Sequence, residues 1–118
     1  MSRCFFLTCG LLLFVVQPAF GQSGPPVATA PTGGDMLTYY PQRAMTLGKE
    51  GRAVIKCNVT PELTLIDCAV VSETPADFGF GAAAINLSRL FRMKPRTASG
   101  EATAGAQVTI PIAFKLSR

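Results

Sequence analysis

The stretch GRAVIKCNVTPELTLIDCAVVS, residues 51–72, decides the fold because it predicts a β-hairpin. Apolar and polar side chains alternate along Gly51–Val59, and a second apolar run covers Thr64–Ser72. Alternation with a period of two is typical of strands that bury one face. Pro61 fixes a backbone angle between the two runs, which favours a tight turn.

The register of this hairpin follows from its turn. If the turn is centred between Glu62 and Leu63, residues that face each other have numbers that add to 125. Cys57 then lies opposite Cys68, and directly opposed residues lie within disulfide distance. The same register places two sets of residues on one face: Ile55, Cys57 and Val59 from the first strand, and Ile66, Cys68 and Val70 from the second.

The residues after the hairpin predict a helix over Ala82–Met93. Apolar residues recur there at steps of three and four, and Pro95 ends the segment. Four cations gather at its C-terminal end and form a candidate contact for an anion or a partner: Arg89, Arg92, Lys94 and Arg96. A solvated basic end that complements the helix dipole explains the same residues, so both interpretations stay open.

The clearest strand signal is QVTIPIAFKL, Gln107–Leu116, in which apolar and other residues alternate strictly. Pro111 cannot donate to a ladder, which favours an edge strand or a bulge. The order strand, strand, helix, strand predicts an α+β fold: a small antiparallel three-stranded sheet with one helix packed on it. The sequence allows a short helix over Pro41–Leu47 ahead of these elements.

The N-terminus predicts an export signal over residues 1–21. Arg3 precedes an apolar run, Cys4–Val16, and the small residues Ala19 and Gly21 follow it. A membrane-spanning helix needs about 20 apolar residues, and this run is shorter. We therefore expect cleavage after Gly21 and an exported protein. An uncleaved membrane anchor is the alternative.

The mature chain divides into a linker and one domain. Residues 22–35 are rich in Pro and Gly and predict a flexible linker, so the folded domain covers residues 36–118. Cys4 and Cys9 leave with the signal, so Cys57 and Cys68 remain in an oxidising compartment. A structural disulfide is the prediction there. A metal site would need more ligands, and a redox motif would need closer spacing.

Composition narrows the classes of function. The chain has 118 residues, with 11 basic, 7 acidic and no histidine. Histidine is the commonest general base and metal ligand, and the sequence carries no phosphate loop, dinucleotide fingerprint or zinc signature. We therefore expect that the protein is not an enzyme and that it binds neither a cofactor nor a metal ion. The formal charge of +4 is too small and too scattered to indicate nucleic-acid binding.

The order of these landmarks resembles the TonB C-terminal domain family, over about Tyr40–Leu116. The residues that carry the resemblance are Tyr40-Pro41, Ala44, Glu50-Gly51, Val70-Val71-Ser72, Ala82-Ala83-Ala84, Phe91-x-Met93-x-Pro95 and Val108-x-Ile110-Pro111-Ile112-x-Phe114. With a cysteine in each hairpin strand, the pattern is similar to small exported TonB-like proteins of alphaproteobacteria. The chain departs from the family in having no histidine, a short linker, and Leu63 where the hairpin turn often carries Gly.

The resemblance implies a periplasmic protein-interaction module of the cell envelope that is linked to TonB-dependent transport, with an inner-membrane location as the alternative if the N-terminus is uncleaved. Such a domain pairs an extended peptide with a sheet edge, and a TonB-dependent receptor is the implied partner. We expect the last strand to provide that edge through Thr109, Ile110, Pro111, Ile112, Ala113, Phe114 and Lys115. A homodimer remains open, and the alternative function is a membrane-anchored energy transducer with an uncleaved N-terminus.

Overall fold

The computed structural model describes residues 24–116, and the predicted export signal lies outside that range. Its elements, in chain order, are β1 (Val27–Thr29), α1 (Gly33–Thr38), α2 (Gln42–Thr46), β2 (Gly51–Val59), β3 (Leu65–Thr74), α3 (Phe80–Leu87), a 3₁₀ turn (Ser88–Leu90), β4 (Arg92–Met93) and β5 (Gln107–Phe114). Within residues 24–116, the helices are too short or too polar to cross a membrane.

The main sheet is antiparallel, has the order β3-β2-β5, and carries α3 on one face. Its inward face shows the predicted period of two, because alternate residues of β2 and β5 are buried. β1 and β4 form a separate two-stranded ribbon. The predicted α+β fold, with one helix on a three-stranded sheet, is confirmed. The short helix allowed over residues 41–47 is α2.

The hairpin register is correct in the middle and wrong at both ends. Pairs add to 125 at Ile55↔Val70, but the register shifts on either side of that centre. Ile66 therefore lies opposite Asn58 and is 47% exposed, while Leu65 is buried in its place. Two bulges cause the difference, and an extra residue in a bulge turns the following side chains to the other face.

Left-handed backbone angles mark the turn and one bulge. Leu63 has φ = 69° and Asp67 has φ = 55°. Leucine adopts such angles at a cost that glycine does not have, so Leu63 strains this turn. Asp tolerates this region better than most residues, so Asp67 suits the bulge.

The predicted helix Ala82–Met93 is wrong at its C-terminal end, because α3 stops at Leu87. The Ser88 hydroxyl donates to the Ile85 carbonyl at 2.6 Å, and a 3₁₀ turn follows. The backbone N–H of Met93 donates to the Leu63 carbonyl at 2.9 Å. This N–H therefore bonds to a residue that is distant in sequence and not to a carbonyl of a continuing helix. Phe91 is buried in either conformation, which is why the apolar period did not reveal the change.

The predicted flexible linker, residues 22–35, is wrong over its described part. Val27 packs against the core, and the N–H of Lys94 donates to the Pro26 carbonyl at 2.7 Å. Thr32 and Asp35 then form a reciprocal capping box that starts α1. The composition of this segment does not indicate these tertiary contacts.

Candidate functional site

The candidate site is the outer edge of β5. β5 is a terminal strand of the sheet, and its eight pairs with β2, from Gly51↔Phe114 to Asn58↔Gln107, show no register shift. Within residues 24–116, β2 is the one strand that pairs with β5. The other side of the β5 backbone therefore has no strand partner within these residues, and α1 lies beside it at Ala113.

The ladder identifies which backbone groups face outward. The N–H of Val59 donates to the Ala106 carbonyl at 2.9 Å, so this position is a hydrogen-bonded one. In an antiparallel pair such positions alternate with positions whose N–H and C=O point away. Even-numbered residues of β5 therefore bond to β2, and odd-numbered residues face the free edge: Gln107, Thr109, Pro111 and Ala113.

Pro111 lies at one of these outward positions, opposite Val54. Its missing N–H removes no bond from the ladder with β2, which is why a regular strand tolerates it. The predicted edge strand is thus compatible with its proline. The same geometry removes one donor from the middle of the free edge, with Thr109 and Ala113 on either side.

The side chains of β5 divide between core and solvent. Val108, Ile110, Ile112 and Phe114 are buried, while the outward-bonding residues have exposed side chains. An incoming strand would therefore meet backbone groups without displacing the core. The predicted partner residues lie along one strand, but Ile110, Ile112 and Phe114 belong to the core side.

Three aromatic rings fix the C-terminal end of β5. The rings of Tyr40 and Phe80 lie 5.7 and 5.2 Å from that of Phe114, centre to centre. Gly51 permits this packing, because a Cβ there would come within 2.7 Å of the Phe80 ring. The N–H of Leu116 donates to the Glu50 carboxylate at 2.7 Å, so the strand is held past its last ladder bond.

Tyr40 connects this end of the strand to the turn before β2. Its hydroxyl donates to the Lys49 carbonyl. Burial raises the pKa of the Tyr40 phenol, and the negative charge of Glu50 raises it further. The phenol therefore stays neutral, and a donor, throughout the physiological range.

Two grooves flank the same end of β5. One, of about 350 Å³, is lined by Glu50, Arg52, Pro75, Ala113 and Lys115 among others. The other, of about 300 Å³, lies between β5 and α1 and is lined by Gly33, Met36, Leu37, Ala113 and Lys115. The groove between α1 and β5 did not follow from the composition of residues 22–35. The Thr32-x-x-Asp35 capping pattern was the signal in the sequence that indicates a helix start there.

The remaining predicted residues lie elsewhere. Cys57 and Cys68 form the predicted disulfide across the hairpin, with 4.1 Å between their Cα atoms. None of the four cations lines either groove beside β5. They lie instead along the β1–β4 ribbon and its continuation: Arg89, Arg92, Lys94 and Arg96. Residues 24–116 contain no group of three side chains suited to a metal ion.

Comparisons with known proteins identify the family and the fold of this chain. A family model described as the Gram-negative bacterial TonB protein C-terminal matches residues 37–116. The chain is similar to the TonB C-terminal domain of Pseudomonas aeruginosa, solved by solution NMR, with 25% identity and a TM-score of 0.52, over 67% of this chain and 78% of that one.

A second solved structure, the TonB2 protein from Vibrio anguillarum, has 23% identity and a TM-score of 0.53. The alignment covers 89% of this chain and 97% of that chain, and at this identity it supports the fold alone. None of the curated proteins compared with the chain matches it.

Proposed function

The chain belongs to the family of Gram-negative TonB C-terminal domains, and on that premise we propose that it is a periplasmic module that binds an extended peptide along the free edge of β5. TonB C-terminal domains interact with proteins such as outer-membrane receptors. The partner proposed for this chain is therefore a segment of an envelope protein, with a TonB-dependent receptor as the first choice.

The observation that carries the proposal is the unbroken register of β5 at the edge of the sheet. Adding a strand needs a row of donors and acceptors in one plane, which a regular edge strand provides. Thr109 and Ala113 offer both groups, and Pro111 offers its carbonyl. The aromatic packing around Phe114 holds this row in place before any partner arrives, which lowers the entropic cost of binding.

The docked N-terminal segment favours an interaction module over a transducer that reaches across the periplasm. Val27–Thr29 pair with β4 and Gly33–Thr38 form α1, so these residues do not form an extended linker. We propose that the exported chain acts as a soluble module after cleavage of the signal at Gly21. Mass spectrometry of the exported protein tests this directly: a chain beginning at Gln22 is expected, and Met1 at the N-terminus would favour the anchored transducer.

The decisive experiment compares two substitutions at one outward position. Ala113→Pro removes the N–H that faces the free edge and leaves the ladder with β2 intact, while Ala113→Ser retains that N–H. The ligands are synthetic peptides that cover the N-terminal segments of outer-membrane receptors encoded in the same genome, with affinity measured by calorimetry. We expect Ala113→Pro to lose about tenfold in affinity or more, and Ala113→Ser to change it little.

Circular dichroism and thermal unfolding check that both variants remain folded. Thr109→Pro repeats the test on the other side of Pro111, which separates a loss of edge pairing from a local effect in the α1 groove. Equal binding by folded Ala113→Pro and the parent chain would refute pairing at this edge.

A further inference from the structure

A second surface, separate from the β5 edge, surrounds the β1–β4 ribbon. Val27 lies opposite Met93 and Thr29 opposite Arg92, and the N–H of Lys94 donates to the Pro26 carbonyl. Arg92 lies in β4, Arg89 lies in the 3₁₀ turn before it, and Lys94 and Arg96 follow it; all four side chains are exposed. We call these four residues the basic ribbon: Arg89, Arg92, Lys94 and Arg96.

Cations outnumber acidic side chains along the basic ribbon. Residues 24–34 and 88–100 contain its four cations and no Asp or Glu, and Glu101, the next residue, lines a cleft with Gly24 and Pro26. A guanidinium nitrogen of Arg92 donates to the carbonyls of Arg89 and Phe91 at 3.2 and 2.9 Å, and one of Arg96 donates to the Gly100 carbonyl at 2.9 Å. Carbonyl oxygens hold these groups in place and leave their formal charge unchanged.

The basic ribbon also lies where the described chain begins. Gly24, Pro25 and Pro26 line a cleft of about 330 Å³ together with Lys94 and Arg96. Seven residues lie between Val16, the end of the apolar run, and Gly24, and a fully extended chain covers at most about 29 Å over these eight steps. If the predicted signal is inserted in the membrane before its cleavage, this length keeps Gly24 within about 29 Å of the apolar run.

From these three observations we infer that the basic ribbon docks on an anionic lipid surface. Phosphate headgroups attract clustered positive charge and need no shaped pocket, and a Lys or Arg near such a surface strengthens binding by about fivefold. The inference is independent of the proposed peptide site, because the two surfaces share no residue.

An acidic polypeptide fits this surface less well than a lipid headgroup. Strand addition to the outer edge of β1 would need free N–H groups there. Pro25 and Pro26 have none, and the N–H of Val27 donates to the Pro25 carbonyl at 2.8 Å. The ribbon therefore offers charge but few backbone donors.

The test is co-sedimentation of the exported chain with vesicles. Mixed phosphatidylglycerol and phosphatidylethanolamine vesicles are compared with neutral phosphatidylcholine vesicles at physiological salt. The test variant is Arg89→Gln with Lys94→Gln, because the guanidinium groups of Arg92 and Arg96 brace the backbone. The matched control is Lys49→Gln with Lys56→Gln, which removes two exposed cations away from the ribbon.

We expect binding to the anionic vesicles alone, weakened about 25-fold in the ribbon variant and much less in the control. Equal binding to neutral vesicles, absence of vesicle binding, or an equal loss in both double variants would each overturn the inference. Ribbon-dependent binding of a polyglutamate peptide without vesicle binding would assign the surface to a polypeptide instead.

Discussion

The two edges of the main sheet differ in how well they can accept another strand. β5 runs through eight pairs without a register shift, whereas β3 has two shifts along its pairing with β2. Asp67, at φ = 55° and exposed, lies at one of the β3 shifts. Bulges and charges on an edge are common protections against unwanted pairing.

The need for such protection is visible in the side chains of β3. Ile66, Val70 and Val71 are 47, 43 and 55% exposed, so a flat β3 would offer an apolar edge. The outward positions of β5 carry Thr109, Pro111 and Ala113, which are small or weakly apolar. The comparison teaches that this domain interrupts the edge that carries exposed apolar side chains and keeps the edge with small or weakly apolar side chains regular.

On the β5 side, we expect Ile112→Pro to cause the largest loss in the free energy of unfolding. The N–H of Ile112 faces β2 and its side chain is buried, so proline breaks a ladder bond and empties part of the core. We expect a loss of about 3–5 kcal/mol in the free energy of unfolding, measured by urea denaturation. Ile112→Val, as the control, should lose about 1 kcal/mol. If Ala113→Pro destabilises the chain as much as Ile112→Pro, the assignment of inward and outward positions is wrong.

On the β3 side, removal of the disulfide should have the next largest effect. Cys57 and Cys68 are 11 residues apart in sequence, and a bridge over such a loop stabilises by about 2–4 kcal/mol. We expect Cys57→Ala with Cys68→Ala to lose that much while the folded fraction binds peptide at β5 with unchanged affinity. Parallel loss of peptide affinity, measured at a temperature where the variant is fully folded, would show that the two edges are coupled.

A smaller effect should follow from Glu73, which ties β3 to α3. Its carboxylate accepts the N–H of Gly81 at 2.7 Å, in the first turn of the helix. We expect Glu73→Ala to lose about 1 kcal/mol in the free energy of unfolding and Glu73→Gln to lose less, because glutamine retains an acceptor. An unchanged stability in Glu73→Ala would show that this cap is not needed to hold α3 on β3.

The smallest effect concerns pH and the β5 end alone. Because the pKa of Tyr40 is raised in the folded chain, its contribution to stability is fully present below the unfolded value of about 10 and is lost as pH rises toward the folded value. Unfolding free energies at pH 8, 10 and 11 should fall less steeply in Tyr40→Phe than in the parent chain. Identical slopes would exclude Tyr40 as the source of the alkaline loss.

The sequence predicted the structure of β5 better than that of β3. The strict alternation of β5 gave its buried face correctly, and Pro111 pointed to an edge. β3 carries Ile66, Cys68 and Val70 in the same alternating pattern, yet the bulge at Asp67 depends on the cross-strand packing that the pattern does not contain. Local periodicity therefore predicts strands, while the irregularities that distinguish the two edges depend on tertiary contacts.

Only one part of the candidate site, the backbone edge of β5, could be predicted from the sequence. The edge position of β5 follows from the fold class, but the α1 wall of the groove lies in a segment whose composition indicates a flexible linker. Thr32 and Asp35 start a helix there because their side chains satisfy each other's backbone groups. Short capping patterns of this kind outweigh a Pro- and Gly-rich composition when the segment also packs on the domain.

Pro111 also affects pairing with a copy of β5 differently from pairing with a strand of another protein. Two β5 edges that met antiparallel about a two-fold axis at Pro111 would place one proline opposite the other, and both hydrogen bonds of the central pair would be lost. A foreign strand has no such symmetry, so it can place a glycine or a solvated carbonyl opposite the proline and keep the bonds to Thr109 and Ala113. One imino acid thus disfavours the symmetric self-pairing centred at Pro111 without imposing the same loss on the foreign strand proposed as the ligand.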